Sequence, residues 1–368
     1  MARLIPSNGG QAPPFSLLVI LMDDQTKLKE EVMGKVVGSK VIRRRATVLV
    51  LVGVVVVLLL YVVSLTMGSY PITFGEAMHQ MSEIFATWGN PEDMSGRIIY
   101  NLRMPRALAV IMVGAGLAVA GAVMQALIHN PLVDPYITGV SSGASFGVIL
   151  VTLSGLVTTS LATLWLVPVA GIVGAVLAFA LTMTVAEAAG GKAMSYVLGG
   201  TVIGLGLSAG TTLIMSFNAD QMENITSWMF GSFANIEWEE TLLITIPVIF
   251  IIAIVLVYAR KLNIMLLGED QARYLGMDAR KFKRNMLILI SVLTAFCVAF
   301  CGVIGFVGLI VPHLCRMVVG GDNRVLLPTS AIVGSVVLLV ADVFCRSFTV
   351  GELPIGAIIS VIGVPFFI

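Results

Sequence analysis

The stretch Thr47–Met67 (TVLVLVGVVVVLLLYVVSLTM) decides the fold class of this chain. It is an unbroken apolar run without a charged residue, and a helix needs about 20 such residues to cross the hydrocarbon core of a bilayer. Arg43, Arg44 and Arg45, with Lys40, stand directly before it. Such a basic cluster marks a cytoplasmic flank, so the run reads as a span leaving the cytoplasm and residues 1–46 as a cytoplasmic N-terminal extension. The run exceeds a signal-peptide core and no small-residue cleavage site follows it, so it reads as an anchor. The apolar stretch Ser16–Met22 is too short to span a membrane.

Working outward, the pattern repeats. After a polar loop over 68–103, with a helix-like segment at Phe74–Thr87, a second span reads over Met104–Leu127. Further apolar runs follow at about 137–155, 163–186, 195–217, 241–259, 285–304, 306–319, 326–345 and 354–368. Ten crossings place both termini in the cytoplasm. The loops agree with that direction. Residues 217–240 carry Asp220, Glu223, Glu237, Glu239 and Glu240 and no Lys or Arg, and fall outside. Residues 260–284 carry Arg260, Lys261, Arg273, Arg280, Lys281, Lys283 and Arg284 and fall inside, as the positive-inside bias requires. Across the 368 residues 58% are apolar and 12% charged, about half the charge of a soluble domain. With a mean hydropathy of +0.99, this excludes a soluble enzyme, a disordered chain and a single-span receptor. A net charge of +1 gives no pull toward nucleic acid.

Few motifs carry chemistry. No GxxxxGK[ST] phosphate loop is present; Gly190-Gly191-Lys192-Ala193 lacks both the upstream glycine and the hydroxyl residue. Carboxylates are scarce inside the spans, which leaves no Asp, Glu or His series to relay protons. Uphill transport would therefore draw its energy from another subunit. Cys297, Cys301, Cys315 and Cys345 lie in apolar stretches and read as small buried hydrophobes; His79, His129 and His313 are scattered. Small residues recur at helix-packing spacing at Gly114, Ala118 and Gly121, at Gly200 and Gly204, and at Gly206 and Gly210.

Three features invite a functional reading beside a bland one. The stretch Met265–Lys281, with Leu267, Gly268, Ala272, Leu275 and Gly276, reads as a solvated loop, a lipid-surface helix, or a docking element shaped by its glycines. Arg97, Arg103 and Arg106 at the outer mouth of the second span, and Arg346 at the outer end of the ninth, oppose the usual charge bias. They read either as snorkelling to lipid phosphates or as a cationic rim for a carboxylate-bearing partner. Asp342, one turn before Arg346, can pair with it. The segment Gly305–His313, with two glycines and Pro312 in an apolar run, reads as a translocation region or a hinge, the proline breaking the helix.

On these same residues the chain resembles the FecCD-type permeases, the membrane subunits of type II ABC importers for iron–siderophores, haem and cobalamin. The motifs are Arg103-Met104-Pro105-Arg106, Gly121-Ala122-Val123-Met124-Gln125, Asn130-Pro131-Leu132-Val133-Asp134-Pro135 and Gly139-Val140-Ser141-Ser142-Gly143-Ala144. In the second half they are Trp228-Met229-Phe230-Gly231-Ser232, the Leu267–Gly276 pattern, Gly305–His313, and Leu353-Pro354-Ile355-Gly356 leading to Gly363-Val364-Pro365-Phe366-Phe367. The resemblance runs in order over about 47–368. The family usually continues several residues past the position of Ile368 and needs a shorter N-terminal extension.

The resemblance implies an all-α polytopic fold of about ten transmembrane helices, that of a type II importer. It implies a homodimer with a pathway on its two-fold axis, two ABC ATPase subunits on the cytoplasmic side and an extracytoplasmic substrate-binding protein outside. By position, Arg103, Arg106 and Arg346 match arginines that meet carboxylates of the binding protein. Leu267, Gly268, Ala272, Leu275 and Gly276 match the cytoplasmic coupling helices within residues 260–284. Asn130 and Leu132 match an inner constriction, with a second at Ala193 and Met194. No cofactor is implied for this chain, ATP being bound by the partner ATPase, and no covalent chemistry. The resulting expectation is a permease domain over 47–368, in the cell membrane, that takes up a metal chelate, with an iron–siderophore ahead of haem and cobalamin. An ion-coupled secondary transporter without an ATPase is the alternative; a sensory or structural membrane protein is a third class.

Overall fold

In hydrocarbon every backbone N–H and C=O must find a partner within the protein, so an apolar chain of this length is obliged to be helical or to close into a barrel. The computed structural model takes the first solution. It describes residues 47–368 apart from 69, 88, 90, 157–159, 219–225, 227, 348–351 and 368, and among them no strand occurs. The expected N-terminal extension and its arginine cluster lie outside the described residues, as do 219–225 and 227 of the acidic loop, with its Asp220 and Glu223.

Among the described residues, seven helices are long and apolar enough to span. They are α1 (Thr47–Thr66), α3 (Met94–Ile128), α5 (Trp165–Ala188, with the helix itself starting at Ser160), α6 (Ala193–Ser216), α7 (Trp238–Val257), α10 (Ala279–Cys301) and α12 (Asn323–Ser347). Three shorter apolar helices complete the expected set: α4 (Val140–Leu153), α11 (Val307–Val319) and α13 (Ile355–Gly363), the last running into a 3-10 turn at Val364–Phe367. Outside these lie α2 (Phe74–Ala86), capped by the Thr73 hydroxyl, and two short helices, α8 (Ala259–Met265) and α9 (Glu269–Tyr274).

Helix α3 is the hub, packing against α7, α10, α11 and α12, while α4, α5 and α6 form a second group joined to it through α10. Glycines set the spacing. A Cβ built on Gly121 would fall 1.7 Å from the Gly308 carbonyl oxygen, and one on Gly114 would fall 2.4 Å from that of Gly334. Gly200 is pressed equally close to Ile137 and Thr138. Of the pair Gly206 and Gly210, a Cβ on Gly206 would meet open space among the described residues, while one on Gly210 would fall 3.1 Å from the Phe146 ring.

Two helix boundaries differ from expectation. The helix read as starting at Met104 begins ten residues earlier, at Met94, and passes through a π turn at Ile99–Arg103 just before Pro105. Its arginines are tolerated because all but Arg97 are buried and paired. Pro312 does not break its helix: α11 runs through it, and the break lies upstream, where Gly302 and Phe306 take positive φ (73° and 67°). The N–H that Pro312 lacks would have bonded the Gly308 carbonyl. That freed carbonyl is the one lying against Gly121, where a Cα–H···O contact can replace the lost bond.

Candidate functional site

Three regions gather the residues singled out from the sequence. At one end of the bundle the C-terminus of α1, the start of α3 and the end of α12 converge on the arginines. Arg106 donates through Nε and Nη2 to Asp342 Oδ1 (2.9 and 2.7 Å) and through Nη1 to Glu352 Oε1 (2.6 Å). Arg346 donates to the carbonyls of Ser64 (2.8 Å) and Met67 (3.1 Å) and makes an ion contact with Asp342 at 3.2 Å. Arg103 donates to the carbonyls of Leu65 (2.7 Å) and Tyr70 (2.5 Å).

The structure thus brings the three arginines together and buries them. Arg103, Arg106 and Arg346 are only 5, 8 and 7% exposed. A guanidinium leaves water only when its donors are taken up, and here carbonyls at the end of α1 and in the segment after it, with the Asp342 and Glu352 carboxylates, take them up. The i, i+4 pairing of Arg346 with Asp342 was legible; the pairing of Arg106 with Asp342, 236 residues away, was not. Arg97 remains exposed, with Nε 3.4 Å from the Pro91 carbonyl.

The second region is a cavity of about 480 Å³ between α4, α6, α11 and the turn after α3. It is lined by Leu132 and Asp134 from that turn, by Ser142, by Thr201, Leu205 and Ser208 of α6, and by Phe306 and Leu309. The turn is built locally. His129 closes α3 at φ 58°, its ring Nε2 lying 2.7 Å from the Met265 carbonyl, and Asn130 Oδ1 accepts from Leu132 N at 2.9 Å. Asn130 and Leu132 are therefore one turn, exposed and held in place, with Leu132 on the cavity wall. Ala193 and Met194 open α6 below the cavity-lining Gly200 and Thr201; Met194 is exposed and neither lines the cavity. Phe306, which sequence reading passed over as one letter of a motif, contributes an aromatic wall in left-handed backbone.

The third region is the basic loop. The stretch read as one helix-compatible segment is broken twice, at Gly268 (φ 103°) and Gly276 (φ 80°), leaving the six-residue α9 between them. Ala272, within α9, is fully buried, whereas Leu267, Leu275 and Tyr274 are exposed, Tyr274 at 91%. Tyr274 was missed because a tyrosine inside a charged loop carries no periodic signal. The loop is tied to the bundle by Lys283, which is fully buried and donates to Glu269 Oε1 (2.6 Å) and the Gly191 carbonyl (2.7 Å).

The third region lies at the opposite end of α3 from the first. Arg106 follows the π turn of α3, and Ile128, its last residue, is followed by His129, which touches Met265 beside the loop. The 22 residues between span about 33 Å at 1.5 Å per residue, one bilayer core. All four cysteines are buried thiols, Cys301 Sγ donating to the Cys297 carbonyl. Among the described residues no cluster of three or more His, Cys, Asp or Glu is placed to hold a metal.

Comparison with known proteins places this arrangement. The model of the FecCD transport family matches residues 31–368. The cobalamin import system permease protein BtuC of Halobacterium salinarum is 38% identical over 274 residues, 74% of this chain and 72% of that one. The hemin transport system permease protein HmuU of Yersinia pestis is 36% identical over 296 residues, 79% of this chain and 88% of that one. Among solved structures, an inward-facing ABC transporter of metal-chelate type superposes with a TM-score of 0.74 at 30% identity, covering 86% of this chain and 96% of that one.

Proposed function

The chain belongs to the FecCD transport family, and from that premise we propose that it is the membrane-spanning permease subunit of an ATP-driven importer for a bulky metal chelate. The observation that carries this reading is the match along about three quarters of the chain to relatives named as permeases for cobalamin and hemin. The subunit performs no covalent chemistry. It works as a homodimer, with two ABC ATPase subunits on the cytoplasmic side and a substrate-binding protein outside, in a cell membrane with both termini cytoplasmic.

Three features of the geometry support the subunit contacts in this reading. Helix α9 offers Tyr274, Leu267 and Leu275 as an exposed apolar tip on a basic loop, a surface suited to a soluble protein's cleft. The α6 face bearing Thr201, Leu205, Ser208 and Thr212 is exposed beside the cavity. A hydroxylated face suits a wetted route and a second copy better than lipid. Asn130, Leu132, Ala193 and Met194 would narrow that route at its cytoplasmic end. At the outer end Glu352, the exposed member of the arginine network, holds Arg106; a carboxylate of the binding protein would dock by replacing it, with Arg103 and Arg346 fixing the frame. ATP binding draws the two α9 elements together, and a packed bundle responds by switching between discrete arrangements.

The test is reconstitution in proteoliposomes with the ATPase and binding protein of its own host, offering an iron–siderophore, haem and cobalamin in turn. ATP-dependent accumulation of one chelate is expected. Accumulation driven by an ion gradient with this chain alone would overturn the reading in favour of a secondary transporter.

A further inference from the structure

Lys283 is an unexpected residue to find at zero exposure. Burying an ammonium costs several kcal/mol unless its charge and donors are met. A methionine of similar length would fill the same space without that cost. What the ammonium supplies that an apolar chain cannot is direction, and its two hydrogen bonds point to two different segments. One goes to Glu269 Oε1, the first residue of α9; the other goes to the carbonyl of Gly191. Gly190 and Gly191, at φ 94° and 66°, form the turn between α5 and α6, and the next residue, Lys192, is the N-cap of α6.

The same first turn of α10 grips this turn a second time. Arg280 pairs with Glu187 at the end of α5 (2.6 Å), and Glu187 accepts from the hydroxyl of Tyr196 in the first turn of α6. The Tyr196 ring in turn lies 5.5 Å from Lys283 Nζ, within cation–π range. A Cβ at Gly191 would press on Arg280 and Glu187, at 3.0 and 3.1 Å, so the turn is seated tightly among these charges. The head of α6, with Met194 and the cavity-lining Thr201 and Leu205 along it, is thus tied through one buried ammonium to the helix that offers its apolar tip to solvent.

We propose that Lys283 is the positioning residue through which a displacement of α9 is handed to the Gly190–Gly191 turn and so to the head of α6. This rests on the reading of α9 as the element an ATPase grips. Without the ammonium, α9 would still be seized, but its motion would stop at α10.

The experiment is hydrogen–deuterium exchange on the full chain in nanodiscs with its host's ATPase subunit, with and without a non-hydrolysable ATP analogue. Two segments are followed, 266–277 and 189–198. In the unmodified protein the analogue should change exchange in both. In Lys283→Met it should still change 266–277, while the response of 189–198 falls about fivefold or more, the lower end of an allosteric coupling. Lys283→Arg, which keeps a charged donor, should restore part of that response. Glu269→Ala, at a half-exposed position, should weaken it too and decides the matter if Lys283→Met does not assemble. A normal response of 189–198 in Lys283→Met, or in Glu269→Ala when that variant has to decide, overturns the proposal. A merely structural lysine would lower both responses together, which also overturns it. No response at 266–277 in the unmodified protein would overturn the ATPase reading itself, and this proposal with it.

Discussion

Helices α1 and α3 invert the rule that governs soluble proteins. The most apolar window of α1 has a mean hydropathy of 3.2 and is 11% buried; that of α3 reaches only 2.3 and is 83% buried. In water the more apolar helix would take the core. In lipid the surroundings are as apolar as leucine, so hydropathy decides only that a helix enters the membrane, and close packing decides which helix sits in the centre. Helix α1 is built of Val and Leu, bulky and content against lipid chains. Helix α3 is built of Gly and Ala, among them Gly114, Ala118 and Gly121, which let the backbones of α11 and α12 come near. It can also carry Arg103 and Arg106 because its neighbours supply carbonyls and carboxylates.

The contrast can be broken at its strongest point first. Gly121→Leu would drive a side chain into the Gly308 carbonyl, a backbone group with nowhere to move. The cost should exceed about 3 kcal/mol, the upper end of ordinary overpacking, and little folded protein should survive extraction and size-exclusion chromatography. Assembly equal to wild type would show that backbone proximity does not hold the hub.

Asp342→Asn comes next. It leaves Arg106 and Arg346 without their shared counter-charge, and losing one member of a buried ion pair costs about 3–5 kcal/mol. A clear fall in the thermal midpoint in nanodiscs is expected; an unchanged midpoint would mean the guanidiniums are satisfied by carbonyls and Glu352 alone.

The exposed pair in the turn before α12 should matter far less. Hydrogen bonds from Arg324, assisted by Asn263, hold the Asp322 carboxyl down to about 2 against the upward push of partial burial. A carboxyl lowered in the folded state stabilises fully above its unfolded value of about 3.9 and loses that contribution as pH falls through 2. Water screens this pair, so its contribution is about 0–1 kcal/mol. Acid melts of wild type and Asp322→Asn should differ slightly at pH 6 and converge near pH 2; a difference that persists in acid would assign the effect to something other than the charge.

Least of all is expected from Val55→Ala on the lipid face of α1, where the midpoint should move by an amount worth within about 0.5 kcal/mol. A large loss there would mean that α1 packs against a protein surface beyond this chain.

Much of the fold was legible because membrane insertion is a local property. Each apolar run answers for itself, so Thr47–Thr66 and the later runs could be read one by one. The helix ends were harder where polar residues lie within a helix. Met94–Arg103 looks like loop until its arginines find partners, and Pro312 looks like a break until the Gly308 carbonyl finds Gly121. Of the candidate site, the turn at Asn130 and Leu132 and the glycine-bounded loop around Ala272 could be found by motif and spacing. The burial of Arg106 could not, since Asp342 and Glu352 lie more than two hundred residues further on.

The sequence by itself determined a helical membrane chain, the family it resembles and the segments that carry the family's motifs, because partition into lipid and local turn chemistry depend on neighbours in the chain. Only the tertiary structure decided that Arg103, Arg106 and Arg346 are buried struts, that Lys283 bonds both α9 and the turn before α6, and that a Cβ on Gly206 would meet open space among the described residues while one on Gly121 would meet backbone. Those outcomes depend on which helices stand side by side, and a charge or a missing side chain acquires its meaning only from the group it meets across that contact.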